Sequence, residues 1–261
     1  MERTFWHRQT ADQPLFPDML WSRPENKARA GKLLVIGGNV HGFAAAGEAY
    51  NQALKAGIGS VRVLLPDRLQ KTVSKLFPEA EFAPSTPSGS FGRQALAELL
   101  DLSAWADGVL LAGDFGRNSE TAILLEQFSQ KYSGQLTLTK DALDYFTATP
   151  KVLISRRETL LVLSFAQLQK LAIKTGLTKA FTFEMGLVQL MDSLHEFTEQ
   201  HPVALTVKHL ENICVAFAGQ VSSTKVNDDK DIWRVPTAAH AATWWLQSPA
   251  KPFEALATSL I

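Results

Sequence analysis

The sequence lacks paired cysteines, a net charge and long apolar runs. Cys214 is its one cysteine among 261 residues, so no disulfide can form within the chain. Lys plus Arg and Asp plus Glu each number 26, and a net charge of zero argues against bulk attraction to nucleic acid or anionic lipid. No apolar run approaches the roughly 18 residues of a membrane span, and the first eight residues lack a signal-peptide core. We expect a cytoplasmic protein that binds neither nucleic acid nor membrane.

Several signature motifs are also missing. The run Gly37-Gly38-Asn39 is not the dinucleotide-binding G-x-G-x-x-G, because Asn39 takes the place of the second glycine. No Gly-Lys-Ser/Thr follows it, so it is not a P-loop. The chain has no G-x-S-x-G nucleophile elbow, and none of its 6 histidines stands at zinc-ligand spacing. We therefore expect no resident metal.

Short apolar runs alternate with helix-forming segments. Residues 32–36 form a buried-strand pattern, 44–56 a helix ended by Gly57, and 60–65 a second strand. Further strands are predicted at 108–112, 135–139, 152–155, 203–207 and 213–217, the last two as a pair, and further helices at 93–106, 120–132, 164–176, 181–200, 237–246 and 252–260. The pattern predicts an α/β fold with a mostly parallel central sheet and helices on both faces. We interpret 1–261 as a single domain, with 1–31 as an irregular N-terminal arm.

In such a sheet, ligands bind beyond the carboxyl ends of the strands. The loop after the first strand, residues 37–43, brings glycines to a helix N-terminus, which favours an anion. On motif chemistry alone, a tight strand-to-helix turn is the favoured interpretation. Asp114 lies between Gly113 and Gly116. Its carboxylate is suited to a sugar hydroxyl or a metal, or to an Asx-turn.

Four further residues are candidates for ligand contact, three of them at strand ends and one on a helix. Asp141 stands at a strand end, where it can serve a ligand or cap the short helix behind it. Lys208 and His209 at another strand end fit a phosphate, or the solvated end of a hairpin. His240 is a lone histidine on an alanine-rich helix, either packed or catalytic. The acidic cluster at 228–231 is typical of a solvated loop.

Taken in order, these segments resemble the ADP/ATP-dependent NAD(P)H-hydrate dehydratases, a branch of the ribokinase-like superfamily. The likeness runs from Arg23 to the C-terminus. It is carried by RPENKARAGKLLVIGG, NVHGFAAAGEAYNQALKAGIGSVRVLLP, AGDFGR in place of G-P-G-L-G, TKDAL in place of D-A-D-A-L, ISRRE, LTVKHLEN, VPTAAHAATWWLQ in place of A-T-x-G-x-G-D with its helix, and KPFEALATSLI.

The resemblance implies a three-layer ribokinase-like fold and a repair activity. Enzymes of this family phosphorylate a hydroxyl of hydrated NADH or NADPH from ADP or ATP, with Mg²⁺, and loss of phosphate restores the cofactor. The implied catalytic residues are Asp141 and His240. The implied substrate-binding residues are Asn39, His41, Ala45, Ala46, Asp114 and Gly116, and the implied nucleotide-binding residues are Lys208, His209, Ala241 and Ala242. A homo-oligomer is compatible with the sequence.

One family motif is not present in this chain. The family has an aspartate base and an anion hole in G-x-G-D at a helix N-terminus, and the aligned residues here are Ala239-His240-Ala241-Ala242. Loss of a general base costs about 10²–10⁴ in rate. One interpretation is a relocated base, with His240 or Asp114 as the stand-in; the missing motif favours lost or altered activity over it. The alternative is a catalytically silent protein that keeps the fold and binds a nucleotide or a partner.

Overall fold

The computed structural model describes residues 3–75, 77–176, 180–226 and 233–261. The strands in these ranges are β1 (Trp6–Gln9), β2 (Lys32–Gly37), β3 (Ser60–Pro66), β4 (Ala80–Ala83), β5 (Gly108–Gly113), β6 (Gln135–Thr139), β7 (Thr159–Leu163), β8 (Ala204–His209), β9 (Asn212–Phe217) and β10 (Gln220–Lys225). The α-helices are α1 (Pro17–Trp21), α2 (Ala44–Lys55), α3 (Gln70–Val73), α4 (Leu96–Trp105), α5 (Ser119–Lys131), α6 (Lys151–Ile154), α7 (Phe165–Thr175), α8 (Leu187–Gln200), α9 (Arg234–Gln247) and α10 (Pro252–Thr258).

All of these strands join one sheet, in the order β1-β10-β9-β8-β7-β6-β5-β2-β3-β4. The pairs β8–β9 and β9–β10 are antiparallel, and the other pairs in the described ranges are parallel. The predicted α/β class with a mostly parallel sheet is therefore confirmed. Because β2, β5 and β6 are adjacent and parallel, their carboxyl ends meet at one edge of the sheet.

Both faces of the sheet are covered by helices. In β2, Leu34 and its alternate neighbours pack on one side in a cluster with Leu99 of α4, whereas Leu33 packs on the other side in a cluster with Ala49 of α2 and Ala238 of α9. A strand buried on both faces reads as a continuous apolar run, as β2 does. The alanines of α2 and α9 let these two helices lie in contact over the second face.

In the N-terminal segment, residues 3–31 are described, and they do not form the irregular arm that the sequence predicts for 1–31. Strand β1 pairs in parallel with β10 at the sheet edge, and α1 places Met19 in a buried cluster with Trp244. The strand was missed because Trp6–Gln9 is short and polar. Its partner lies more than 200 residues away, so no local pattern indicates the pairing.

Other boundaries also differ. Residues 152–155, predicted as a strand, lie mostly in helix α6, and the strand of that region is β7. A run of three apolar residues does not distinguish a helix from a strand. Helix α8 begins at Leu187 instead of 181, and α9 at Arg234 instead of 237. The predicted pairing of residues 203–207 with 213–217 is confirmed as the β8–β9 hairpin. Across the described residues, no helix has the length and apolar character needed to cross a bilayer.

Candidate functional site

Glycines bring the carboxyl ends of β2 and β5 unusually close together. The Gly38 amide donates to the Gly113 carbonyl oxygen at 2.9 Å, and the pairing register shifts at Gly37. A Cβ on Gly37 would lie 2.6 Å from the Gly113 carbonyl oxygen. Only glycine permits this approach, so the first glycine loop is needed for the geometry of the site.

Asp114, Lys140 and Asp141 form what we call the carboxylate corner. Asp114 Oδ2 accepts from the Ala45 amide at 2.9 Å, and Asp114 Oδ1 pairs with Lys140 Nζ at 2.5 Å. Asp114 and Lys140 have φ angles of 60° and 53°, in the left-handed region that costs an L-residue about 1–2 kcal/mol. The structure thus brings together Asp114 and Ala45, both of them site residues predicted from the sequence, and adds Lys140, which no sequence pattern indicates.

Asp141 lies half-buried beside this pair. Its Oδ2 accepts from the Gly116 amide at 3.1 Å, and its buried Oδ1 has no hydrogen bond of normal geometry to any described residue. Burial raises the pKa of this carboxyl above its ordinary value, and nearby Asp114 adds to the rise, while the Gly116 and Asp114 amides and Lys140 oppose it. A carboxylate that has a raised pKa and one oxygen without a hydrogen-bond donor is typical of a proton acceptor.

Asn39 joins the loops on either side of this corner. Its Nδ2 donates to the Asp114 carbonyl oxygen at 2.5 Å, and its Oδ1 accepts from the His41 amide at 2.7 Å. The side chain of His41 is exposed. Gly116 is held from the other side, because Tyr145 Oη donates to its carbonyl oxygen at 2.6 Å. Asn39 therefore supports the site through backbone groups, and Tyr145 is a further support that the sequence analysis missed.

A cleft of about 750 Å³ opens beside the carboxylate corner, between α2 and α9. It is lined by Ala44, Ala45, Glu48, Gln52, Lys140, Lys208, Ile213, Val226, Trp233, Val235, Pro236, Thr237, His240, Ser259 and Leu260. We call it the α2–α9 cleft. Three residues predicted from the sequence, Ala45, Lys208 and His240, meet in it, and Lys140 joins it to Asp114.

His240 is held in the wall of this cleft by a chain of side chains. Its Nε2 lies 3.2 Å from Gln52 Oε1, and Gln52 Nε2 donates to Glu48 Oε1 at 2.7 Å. Burial, with Arg23 and Lys55 nearby, lowers the pKa of His240. Since the Gln52 oxygen accepts, we assign the proton of the neutral ring to Nε2, which leaves Nδ1 as its basic nitrogen.

Four of the predicted binding residues have side chains buried in the core instead of facing the cleft. His209 is 5% exposed, its Nε2 bonds the Met185 carbonyl oxygen at 2.8 Å, and its ring stacks on Phe165. Side chains alternate along a strand, so its neighbour Lys208 faces the cleft instead. Ala46, Ala241 and Ala242 are buried in the core face of their helices. The assignments of His209, Ala46, Ala241 and Ala242 to ligand contact are corrected accordingly.

The aligned residues 239–242 do not lie at a helix N-terminus. Helix α9 begins at Arg234, so they fall in its second and third turns. The first turn of α9 carries no acidic side chain. The acidic cluster 228–231, predicted to be a solvated loop, lies outside the described residues.

The described residues do not fit a protein-held magnesium ion. No group of three or more His, Cys, Asp or Glu side chains comes together in them. Glu48, in the cleft wall, accepts from Gln52, and Asp114 beside the cleft is paired with Lys140. A protein site for Mg²⁺ normally needs one or two free carboxylates together with substrate phosphates.

The fold is that of ribokinase-like α/β proteins. A ribokinase-like superfamily protein of Enterococcus faecalis superimposes with a TM-score of 0.73 at 15% identity, over 100% of this chain and 87% of that one. No protein-family model matches the sequence.

The more particular likeness is to NAD(P)H-hydrate dehydratases. The ADP/ATP-dependent NAD(P)H-hydrate dehydratase of Bacillus subtilis, co-crystallised with ATP and Mg²⁺, gives a TM-score of 0.65 at 12% identity, over 95% of this chain and 86% of that one. A bifunctional NAD(P)H-hydrate repair enzyme of Methanothermobacter thermautotrophicus is 32% identical over 97 residues, which cover 37% of this chain and 18% of that enzyme. The match thus spans less than a fifth of that relative's length, and the resemblance predicted from the sequence is confirmed.

Proposed function

We propose that this protein is a divergent enzyme of the NAD(P)H-hydrate dehydratase type. Its substrates are hydrated NADH or NADPH and, as phosphoryl donor, ADP or ATP. The reaction transfers a phosphoryl group to the ring hydroxyl, and departure of phosphate then restores the reduced cofactor. The observation that carries the proposal is Asp141, whose Oδ1 is buried without a well-aligned partner beside a cleft of nucleotide size.

Asp141 takes the proton of the substrate hydroxyl in this proposal. Its raised pKa brings the carboxylate closer to the operating pH, which favours proton transfer in the transition state. The Gly116 amide on Oδ2 fixes the carboxylate, and Oδ1, which is buried against Gly113, must turn toward the cleft to accept the proton. His240 is the second candidate base, through Nδ1. Neutral His240 meets the requirement, since a proton acceptor must be unprotonated.

Lys208 receives the phosphates at the far side of the α2–α9 cleft. It stands at the carboxyl end of β8 and makes no ion pair with any described residue, in contrast to Lys140. As the family resemblance implies, Mg²⁺ would accompany the nucleotide phosphates and neutralise part of their charge. The cleft walls are mainly apolar, through Trp233, Val235 and Ile213 among others, and suit the bases of a nucleotide. We place the reaction in the cytoplasm, as expected from the sequence.

A second candidate function is nucleotide binding without turnover. The absence of an acidic residue from the first turn of α9 favours it, because the family's base stands at a helix N-terminus. In this case the cleft binds ADP or ATP, and the cofactor hydrate is not repaired.

A turnover assay separates the two. Purified protein is mixed with hydrated NADH, Mg²⁺ and ADP or ATP, and return of the reduced-nicotinamide absorbance is followed against a no-protein control. Asp141→Asn should lower the rate by about 10²–10⁴ if Asp141 is the base, and His240→Ala measures the contribution of His240. Asp101→Asn, at an exposed position of α4, is the matched charge control.

Each outcome has one meaning. Nucleotide-dependent recovery that Asp141→Asn abolishes supports the enzyme with this base. Recovery unaffected in both variants contradicts the assignment of Asp141 and His240. Calorimetric binding of ADP without recovery supports the silent nucleotide-binding protein.

A further inference from the structure

We propose that Asp114 excludes anions from the N-terminal end of α2, so that a phosphate-bearing ligand lies with its phosphates at Lys208 and an uncharged group at the carboxylate corner. The identity of the ligand rests on the proposed function. The exclusion itself rests only on the contacts of Asp114.

The first argument is that the protein's own carboxylate already holds the anion position of this helix. Residue Phe43 at the start of α2 supplies no side-chain cap. The Ala45 amide instead donates to Asp114 Oδ2, from a residue that follows β5. Free amides and the helix dipole make such an end attractive to anions. Here that attraction is satisfied internally.

The second argument is the charge of the corner. Asp114 joins the Ala45 amide at this helix end to the cation Lys140, with which it forms an ion pair. Asp141 adds a second carboxylate beside them, so the corner carries a net charge of −1 when both carboxylates are ionised. The side chains of Lys140 and Asp114 are only 33% and 20% exposed, so water screens this charge incompletely. Lys208, on the same cleft, has no such counter-ion among the described residues.

The third argument is the backbone. Asp114 and Lys140 both adopt left-handed conformations that favour glycine, next to Gly113 with a φ of 105°. Side chains at such strained positions persist where surrounding contacts fix them, and they concentrate at functional sites. Asp114 therefore neutralises both Lys140 and the N-terminal end of α2.

The test uses inorganic phosphate as the probe and the backbone amide resonances of the intact protein as the readout. In the wild type, phosphate should shift amides around Lys208 and leave the Ala45 amide unchanged. Asp114→Gly, which tolerates the left-handed backbone, should bind phosphate at Ala45 about tenfold or more tightly than the wild type, because one nearby negative charge is removed. Asp114→Asn, close in shape to aspartate, is the second variant should the glycine variant fail to fold. Lys140→Gln keeps the Asp114 carboxylate and should not gain this site.

The outcomes distinguish this inference from the proposed function. A phosphate-dependent shift of Ala45 in the wild type, or its absence in both folded Asp114 variants, overturns the exclusion. Absence of any shift near Lys208, with Ala45 responding only in the variants, upholds the exclusion and contradicts the proposed placement of the phosphates.

Discussion

Replacing Gly37 with alanine tests whether close approach of β2 and β5 builds the site. The new Cβ would lie 2.6 Å from the Gly113 carbonyl oxygen, well inside the ordinary contact distance of about 3.5–4.0 Å. The strand ends must separate, and forcing an extra methyl into a packed core costs about 1–3 kcal/mol. For a domain near this size, that lowers Tm by roughly 2–12 °C. Because Asp114 follows Gly113 directly, the carboxylate corner should be displaced as well.

Urea and thermal unfolding measure the stability change, and the amide resonances of Ala45 and Gly116 report the corner. The matched control is Gly47→Ala in α2, where an added Cβ meets nothing within 4 Å; alanine there should stabilise the protein by about 1 kcal/mol. A Gly37→Ala protein as stable as the wild type, with unshifted Ala45 and Gly116 amides, would refute the reasoning.

Three further predictions follow from burial and hydrogen bonding. His209→Ala should lower the free energy of unfolding by about 1–3 kcal/mol, because the Met185 carbonyl loses its partner, and ADP affinity measured by calorimetry should not change. Burial raises the pKa of Asp141 above its ordinary 3.8, so relative to Asp141→Asn the wild type should lose stability as pH rises through that raised pKa, and regain it below 3.8. Burial also raises the pKa of the Cys214 thiol to about 12, so a thiol reagent at neutral pH should label it only after unfolding.

Each of these three predictions can be contradicted by a specific result. A weaker ADP affinity in His209→Ala would show that His209 contributes to ligand binding. If the stability difference between the wild type and Asp141→Asn does not change between pH 3 and 8, burial does not raise the pKa of Asp141. Rapid labelling of Cys214 in the folded protein would contradict its position inside β9.

Much of the fold was predictable because buried parallel strands carry their own signal. Two local features were enough to predict where the site loops begin. They are the apolar runs of β2, β5 and β6 and the Gly-Gly and Gly-Asp turns that follow β2 and β5. Strand β1 was not predictable, since its pairing with β10 depends on a contact across almost the whole chain. Helix α6 was missed because a run of three apolar residues is too short to show a helical or strand period.

The site was predictable at its strand ends and not along its helices. Asp114 and Asp141 follow from position after a strand, and the structure brings them together. Lys140 was missed because its role depends on a left-handed backbone that no sequence pattern indicates. His209 was misplaced because one residue along a strand reverses the direction of the side chain. The alignment of 239–242 with a helix N-terminus failed because α9 begins earlier, at Arg234.

The most direct test of the central claim is one progress curve. Wild-type protein, hydrated NADH, Mg²⁺ and ADP or ATP are combined, and the reduced-nicotinamide absorbance is recorded beside an identical reaction with Asp141→Asn. The account predicts recovery that requires the nucleotide and falls at least about a hundredfold in the variant. Equal recovery in the two reactions, or none in either at high protein concentration, would contradict it.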